Sequence, residues 1–237
     1  MATGTLYFIP VTLADDTTPQ QVLPPEVIAR IHSLQHFIVE NEKTARHFLA
    51  ASGHPTTMRD ITFSVLNKDT PAKDLNTMLQ PLQKGIDVGL MSEAGCPGIA
   101  DPGATLAAVA HYKGIRVAPL IGPSSLLLGL MASGLNGQRF TFLGYLAADK
   151  ATRIETIKHI EHDSKTRLET QLFIETPYRN QHMLDDLIAT LQPQTKLCVA
   201  CNVTGKDELI LTKTVAEWSK AQLPDLHKKP TVFLLLA

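Results

Sequence analysis

The sequence predicts an α/β fold, with a doubly wound, mostly parallel sheet in the N-terminal half and a mixed sheet in the C-terminal half. In the N-terminal half, short apolar runs alternate with helix-forming segments, which is the pattern of βαβ units. In the C-terminal half, three apolar runs follow one another with little helix between them, which favours antiparallel pairs. The chain has 237 residues, 44% of them hydrophobic, and can bury a core as one large or two small domains.

The N-terminal elements follow one another in the order expected of a doubly wound sheet. Strands are predicted at Thr5–Ile9, Phe37–Glu40 and Ile61–Leu66. Helices are predicted at Pro24–Leu34, Lys43–Ala51 and Lys73–Leu82, the first of them with prolines at its start.

The most informative segment joins a buried strand to a helix. The run Val88–Met91 is short and apolar, as in a strand covered on both faces, and Ala104–Tyr112 is a good helix former. Between them, Asp101 is predicted to be the N-cap and Pro102 the first helical residue. A further strand at Ile115–Ile121 completes a strand, loop, helix and strand, which requires a right-handed crossover and a parallel sheet.

The loop from Ser92 to Ala100 is the expected binding site, because ligands of open parallel sheets lie beyond the carboxyl ends of the strands. Its glycines and prolines could serve only to turn the chain. However, they are more numerous than a connection needs, and they leave backbone groups open to a ligand. The next strand ends in a similar way, in Ile121-Gly-Pro-Ser-Ser125, and the N–H groups at the start of the helix that follows suit an anion.

The C-terminal half is predicted to alternate differently. Strands are expected at Phe140–Tyr145, Gln171–Glu175, Leu197–Val203, Glu208–Thr214 and Thr231–Leu236, and helices at Lys150–Glu161 and Asn180–Leu191. The charged residues around the first of these helices, among them Arg153, are interpreted as a solvated face rather than an RNA-contacting surface. Trp218 is expected to pack in a core rather than to stack on a base.

Composition excludes several classes of function. The net charge of −1 gives no global attraction for nucleic acid, so any RNA contact must depend on a local patch. Three cysteines and the absence of a secretory signal indicate a reducing cytoplasm, and no uninterrupted apolar span predicts a membrane helix. Cys198 and Cys201 have the spacing of a redox or zinc motif, but they lie on a strand, where residues three apart face opposite sides. With no paired Cys/His spacing elsewhere, we predict no metal site.

The glycine-rich block carries a family resemblance. The stretch Ser92-Glu-Ala-Gly-Cys-Pro-Gly-Ile-Ala-Asp-Pro-Gly103, followed by Gly114-Ile-Arg-Val-Ala-Pro-Leu-Ile-Gly-Pro-Ser124 and Ala132-Ser-Gly-Leu135, resembles the tetrapyrrole methylase superfamily of S-adenosylmethionine-dependent methyltransferases. Within it, the chain is most similar to the branch that 2′-O-methylates a ribose of small-subunit ribosomal RNA. Weaker similarity extends over essentially the whole chain. The resemblance implies two domains, 1–120 and 121–237, a homodimer, and a cofactor bound between the domains.

The resemblance also implies which residues hold S-adenosylmethionine. In the N-terminal domain they are Ser92, Glu93, Ala94, Gly95, Pro97, Ile99 and Asp101 from the first loop, and Gly122, Pro123, Ser124 and Ser125 from the second. In the C-terminal domain they are Ala200, Pro230 and Thr231, for which ordinary strand packing is an equally good interpretation.

The acceptor side departs from the branch pattern. Glu40-Asn41 stands where the RNA-modifying branch carries a Glu-Asp pair, and Glu40 is the one candidate for a catalytic or substrate-positioning residue. An exposed carboxylate at a strand end is an equally good interpretation of it. The glycine that follows the first strand in that branch is missing after Pro10, and Asn202-Val-Thr-Gly205 lacks the acidic residue that is usual there. Two alternatives therefore stay open: a tetrapyrrole precursor as acceptor, or a cofactor-binding module without catalysis.

Overall fold

The computed structural model describes residues 3–237 and divides into two compact units, one ending at Ser124 and the other spanning Ser125–Ala237. Each unit contains one five-stranded sheet. No helix within the described residues is both long and apolar enough to cross a membrane.

The first unit is a parallel sheet with the strand order β3-β2-β4-β1-β5. Its strands are β1 (Thr5–Phe8), β2 (His36–Val39), β3 (Thr62–Val65), β4 (Val88–Met91) and β5 (Arg116–Pro119). Its helices are α1 (Pro19–Val22), α2 (Pro25–His32), α3 (Glu42–Ala51), α4 (Ala72–Met78), α5 (Gln80–Gln83) and α6 (Gly103–Tyr112). All four strand pairings are parallel, which confirms the predicted doubly wound fold.

Strand β4 lies in the middle of this sheet and all four of its residues are buried, as its apolar sequence predicts. Two apolar clusters cover the faces of the sheet. Ile9 and Phe37 belong to one cluster, and Leu6 and Leu90 belong to the other, so side chains alternate between faces along the strands.

The second unit is a mixed sheet with the strand order β6-β7-β10-β8-β9. Its strands are β6 (Phe140–Tyr145), β7 (Thr170–Ile174), β8 (Lys196–Cys201), β9 (Leu209–Thr214) and β10 (Thr231–Leu236). Its helices are α7 (Ser125–Ser133), α8 (Lys150–Arg167), α9 (Asn180–Thr190) and α10 (Val215–Trp218). Strands β6 and β7 pair in parallel and the other three pairs are antiparallel, which confirms the predicted mixed sheet.

Two predicted helices differ from the observed ones, and one observed helix was not predicted. The single helix predicted at Lys73–Leu82 is two helices, because Pro81 lacks an N–H and its ring opposes the carbonyl of the preceding turn. Helix α8 runs on to Arg167, with an i,i+4 ion pair between Asp163 and Arg167 in its last turns. Helix α1 was not predicted, although Thr18 and Gln21 form a capping box.

The interpretation of Arg153 as part of a solvated face is wrong. Its side chain is 8% exposed and donates two hydrogen bonds to one oxygen of Asp186, at 2.9 and 2.6 Å. A buried guanidinium needs such a partner, because burial of an unpaired charge is costly. By contrast, Trp218 is buried as expected, and its indole N–H donates to the carbonyl of Leu197.

Candidate functional site

Hydrogen bonds join the loops that follow β1, β4 and β5. The N–H of Val11 donates to the carbonyl of Gly95 at 2.9 Å. The thiol of Cys96 donates to the carbonyl of Pro123 at 3.4 Å. All three loops lie at the carboxyl ends of neighbouring parallel strands. The bonds link the first predicted binding loop to the second.

Asp101 holds the glycine-rich loop in shape. Its carboxylate accepts the N–H of Gly98 at 2.9 and 2.8 Å and the N–H of Gly103 at 2.6 Å. The prediction of Asp101 as N-cap is wrong by one residue: Pro102 occupies the N-cap and the helix begins at Gly103. Pro102 has no side-chain donor or acceptor, so the neighbouring carboxylate of Asp101 supplies the hydrogen bond to Gly103.

The backbone of this loop uses left-handed conformations. Gly95 and Gly98 have φ values of 68° and 83°, and Ala100 has φ of 60°. Such a φ is uncommon for a residue with a Cβ, and in native proteins it persists where the surroundings enforce it. The strain at Ala100, next to Asp101, marks the loop as a shaped structure rather than a loose turn.

Glu40 reaches the same loop from the end of β2. Its Oε2 accepts the N–H of Glu93 at 3.3 Å. Burial raises the pKa of Glu40, and the negative charges of Glu93 and Asp101 raise it further, against the opposing effect of the hydrogen bond from Glu93. Burial also raises the pKa of Asp101. The site therefore holds two carboxylates that are more basic than ordinary ones.

An open cavity of about 770 Å³ lies at the carboxyl ends of β2, β3 and β4. Glu40, Glu93 and Asp101 line one part of it, and the segment from Leu66 to Thr70 lines another. Its volume is within the range of small-molecule sites, roughly 300 to 1,000 Å³. A second void of about 10 Å³ is bordered by Glu40, Ser92, Pro97 and Asp101.

The predicted residues of the second unit meet at one end of the neighbouring strands β8 and β10. Thr231 pairs with Cys201, and Ala200 with the residue after Thr231. The carbonyl of Pro230 accepts the N–H of Asn202 at 2.8 Å. Ala200 is fully buried and packs against α7. A Cβ added at Gly129 of that helix would lie 3.2 Å from the Cβ of Ala200. Its side chain therefore packs inside the unit, and Pro230 is the exposed member of the group.

The predicted site residues thus fall into three groups. The cavity takes in Glu93 and Asp101, together with Glu40. The loops joined by Val11 and Cys96 hold Ser92, Ala94, Gly95, Pro97, Ile99, Gly122, Pro123 and Ser124, and Ser125 begins α7. Ala200, Pro230 and Thr231 form the group in the second unit.

Sequence reasoning missed the contribution of β3 to the cavity. Asn67, Lys68 and Asp69 follow that strand and line the cavity wall. The signal was available, since a parallel strand was predicted to end at Leu66 and its carboxyl end must lie at the same edge as those of its neighbours.

Asn41 also lines the cavity, and its side chain caps α3 by accepting the N–H of Lys43.

The cysteines offer neither a metal site nor a disulfide. Cys198 and Cys201 are buried free thiols, and burial raises the pKa of each. Cys201 packs in the same apolar cluster as Leu197 and Val199, as expected for alternate residues on one face of β8. Across residues 3–237, no cluster of His, Cys, Asp and Glu is arranged to hold a metal ion.

Comparison with curated proteins gives a consistent result. The chain is 30% identical over 214 residues to ribosomal RNA small subunit methyltransferase I of Xylella fastidiosa (strain Temecula1 / ATCC 700964), covering 90% of this chain and 75% of the relative. It is 36% identical over 141 residues to the protein of the same name from Escherichia coli O157:H7, covering 60% of this chain and 48% of the relative. No family model matches the chain.

Solved structures share the fold at low sequence identity. A diphthine synthase matches with a TM-score of 0.69 and 15% identity, covering 99% of this chain and 90% of that one. The methyltransferase CobJ matches with a TM-score of 0.63 and 16% identity, covering 100% and 94%. The resemblance stated from the glycine-rich block is confirmed: the chain is a methyltransferase that belongs to the ribosomal RNA small subunit methyltransferase I family and has the tetrapyrrole methylase fold.

Proposed function

We propose that the protein transfers a methyl group from S-adenosylmethionine to the 2′-oxygen of a ribose in small-subunit ribosomal RNA. The observation that carries the proposal is the 30% identity to a ribosomal RNA small subunit methyltransferase I over 90% of the chain. The cavity at the strand ends also supports the proposal, because it is lined by the carboxylates of Glu40 and Asp101, whose pKa values are raised by burial. A ribosomal substrate also implies that the protein acts in the cytoplasm.

The residues of the first unit fit the cofactor. The loop from Ser92 to Asp101 offers backbone donors and acceptors beside exposed Glu93 and Ala94, and the hydrogen bonds of Asp101 hold it in one shape. Carboxylates such as Glu93 suit ribose hydroxyls, and backbone amides near Ser124 and Ser125 suit a carboxylate. When bound, the cofactor supplies an activated methyl group on a positively charged sulfur. The remaining work of the protein is to bind, align and exclude water.

We assign to Glu40 the role of the base that takes the proton from the methyl acceptor, the ribose hydroxyl. A ribose hydroxyl is a weak nucleophile and must lose its proton as the oxygen bonds to the methyl carbon. Because burial raises the pKa of Glu40, its carboxylate is a stronger base than an exposed glutamate. The hydrogen bond from the N–H of Glu93 holds the carboxylate at the cavity wall, where an acceptor hydroxyl would lie.

The acceptor experiment separates this proposal from its rivals. Labelled S-adenosylmethionine is offered in parallel assays to small ribosomal subunits from cells lacking the protein and to uroporphyrinogen III. Label in the RNA alone supports the proposal. Label in the tetrapyrrole alone identifies the acceptor as a tetrapyrrole, and no label despite cofactor binding indicates a module without catalysis.

We further propose that the protein is a homodimer. The second unit exposes large apolar side chains, with Met131 80% exposed and Tyr145 55% exposed. Leu127 lies four residues before Met131, on the same side of α7, and is also exposed. Exposed apolar groups of this size commonly mark an interface. Sedimentation equilibrium tests this, with a dimer expected at twice the 25.9 kDa chain mass.

A further inference from the structure

A surface of the second unit combines an exposed aromatic ring with cations. Tyr178 follows β7 and its side chain is 68% exposed. The ring of His227 meets it edge-on at a centroid distance of 6.3 Å, and Nζ of Lys228 lies 5.9 Å from the centre of the Tyr178 ring. Arg179 adds a guanidinium that is 40% exposed. We call these four residues the Tyr178 surface.

Hydrogen bonds between two turns hold this surface in place. The N–H of Lys228 donates to the carbonyl of Pro177 at 3.1 Å, and the side-chain amide of Asn180 donates to the carbonyl of Lys229 at 2.7 Å. Lys228 itself has φ of 59°, in the left-handed region. Such a conformation in a residue other than glycine is found where the surroundings impose it, often at functional sites. Here it accompanies a lysine side chain beside the Tyr178 ring.

A buried carboxylate beneath the surface orients Arg179. The side chain of Glu175 is 1% exposed, and its Oε1 accepts a hydrogen bond from Nη2 of Arg179 at 2.6 Å. Its other oxygen, Oε2, and Nε of Arg179 are buried without a hydrogen-bond partner within residues 3–237. The contact with this buried carboxylate holds the guanidinium of Arg179 in one orientation.

Around the Tyr178 surface, the cations Arg179, Lys228 and the adjacent Lys229 outnumber the carboxylates Glu175 and Asp225 by one charge. Glu175 is buried against Arg179, and Asp225 accepts the backbone N–H of His227. The whole chain has a net charge of −1, so this is a local patch and not part of a general positive field.

We infer that the Tyr178 surface binds a single-stranded segment of the RNA substrate, with a base stacked on Tyr178 and the adjoining phosphates contacted by Lys228 and Arg179. The inference rests on the proposed function and adds to it a substrate-binding surface in the second unit. Single-stranded RNA is recognised by this combination of aromatic stacking and cations. Arginine fixed by a carboxylate is suited to phosphate because its guanidinium is already oriented.

The test compares Tyr178→Ala with Tyr178→Phe and Tyr112→Ala. Tyr112 is 92% exposed on α6 of the first unit and is the matched control. Dissociation constants are measured with a fluorescent single-stranded oligoribonucleotide, and KM and kcat with small ribosomal subunits. We expect Tyr178→Ala to raise Kd and KM about ten-fold, the loss of one stacked base, with kcat and cofactor affinity unchanged. Tyr178→Phe and Tyr112→Ala should behave as wild type.

Salt dependence supplies a readout that a packing defect would not change. Lys228→Ala should lower the slope of log Kd against log salt by about 0.7, the value for one phosphate contact on a single strand. Unchanged Kd and slope in Tyr178→Ala and Lys228→Ala, with wild-type enzyme methylating subunits, would overturn this inference alone. A Tyr178→Ala variant that binds RNA normally but changes its sedimentation would do the same, by assigning the surface to a protein contact. Failure of the wild type to methylate subunits, with the binding losses present, would instead remove the proposed function.

Discussion

Oε2 of Glu40 accepts the backbone N–H of Glu93 at 3.3 Å, which links the end of β2 to the glycine-rich loop after β4. The two residues are separated by 53 positions in sequence, and the parallel sheet brings them to one wall of the cavity. The contact joins the only catalytic candidate to the loop that we assign to the cofactor.

Replacement of Glu40 by glutamine tests its role as a base. Glu40→Gln keeps an oxygen for the N–H of Glu93 but removes the proton acceptor, so we expect kcat to fall about 10²-fold or more while cofactor affinity is retained. Steady-state kinetics and calorimetric titration measure the two effects. A variant with normal kcat would assign the proton to another group.

The pH dependence of the wild type has a definite sign. The pKa of Glu40 is raised, so its basic form is lost as pH falls, and the acidic limb of the kcat/KM profile should lie above the ordinary glutamate value of 4.5. The same shift favours the protonated form in the folded state, so Glu40 contributes stability below its unfolded pKa that is lost as pH rises through its folded pKa. Glu40→Gln should therefore be at least as stable as wild type at pH 7, and any residual activity should lack this limb.

Asp101 is expected to act by shaping the loop. Asp101→Ala removes the acceptor of the N–H groups of Gly98 and Gly103, which should cost about 1 to 3 kcal/mol of stability and weaken cofactor binding. Asp101→Asn retains one carbonyl oxygen as an acceptor and should therefore lose less stability and less cofactor affinity than Asp101→Ala. Thermal unfolding and cofactor titration test the order of wild type, Asn variant and Ala variant, and equal cofactor affinity in all three would contradict it.

Gly122 is required by close packing and not by a positive φ. A Cβ at this position would lie 2.3 Å from Cβ of Pro10, so Gly122→Ala must push apart the loops after β1 and β5. Overpacking of this kind costs about 1 to 3 kcal/mol. Gly137→Ala is the control, because a Cβ there meets nothing within 4 Å. In urea denaturation, Gly122→Ala should unfold at a lower midpoint than wild type, and Gly137→Ala should not. Equal midpoints for the two variants would refute this packing role.

Much of the fold could be predicted from the sequence because periodicity and turn residues agree with the tertiary structure. The short apolar run Val88–Met91 is typical of a strand buried on both faces, and β4 is such a strand. Helix ends were less certain, as shown by the break before Pro81, because small differences in local energy decide them. The burial of Arg153 could not be predicted from the sequence, since its partner Asp186 lies 33 residues away and belongs to a helix that packs against α8.

The burial of Arg153 predicts that its replacement lowers the stability of the second unit strongly, which the sequence alone does not predict. Arg153→Met leaves Asp186 buried without its main partner and should cost about 3 to 5 kcal/mol. Lys158→Ala, on the same helix, removes only the exposed ion pair with Glu155 and should cost less than about 1 kcal/mol. Trp218, the only tryptophan, is buried in the same unit, so its fluorescence in urea reports both values. Similar midpoints for the two variants would contradict the burial argument.

The candidate site was predictable to the level of loops but not of geometry. The loops around Gly95 and Gly122 stood out by composition, whereas the cavity formed by Glu40, Asp101 and the segment after β3 depends on the order of strands in the sheet. Strand order is a long-range property, and no local pattern in the sequence encodes it.

The central claim is tested most directly by mapping the methylated nucleotide. Purified protein is incubated with labelled S-adenosylmethionine and small ribosomal subunits from cells lacking it, and the RNA is then hydrolysed with alkali, which does not cleave after a 2′-O-methylated ribose. The account predicts label in a single alkali-resistant dinucleotide, incorporated about 10²-fold or more slowly with Glu40→Gln. Label on a base, or no label from a protein that binds the cofactor, would contradict it.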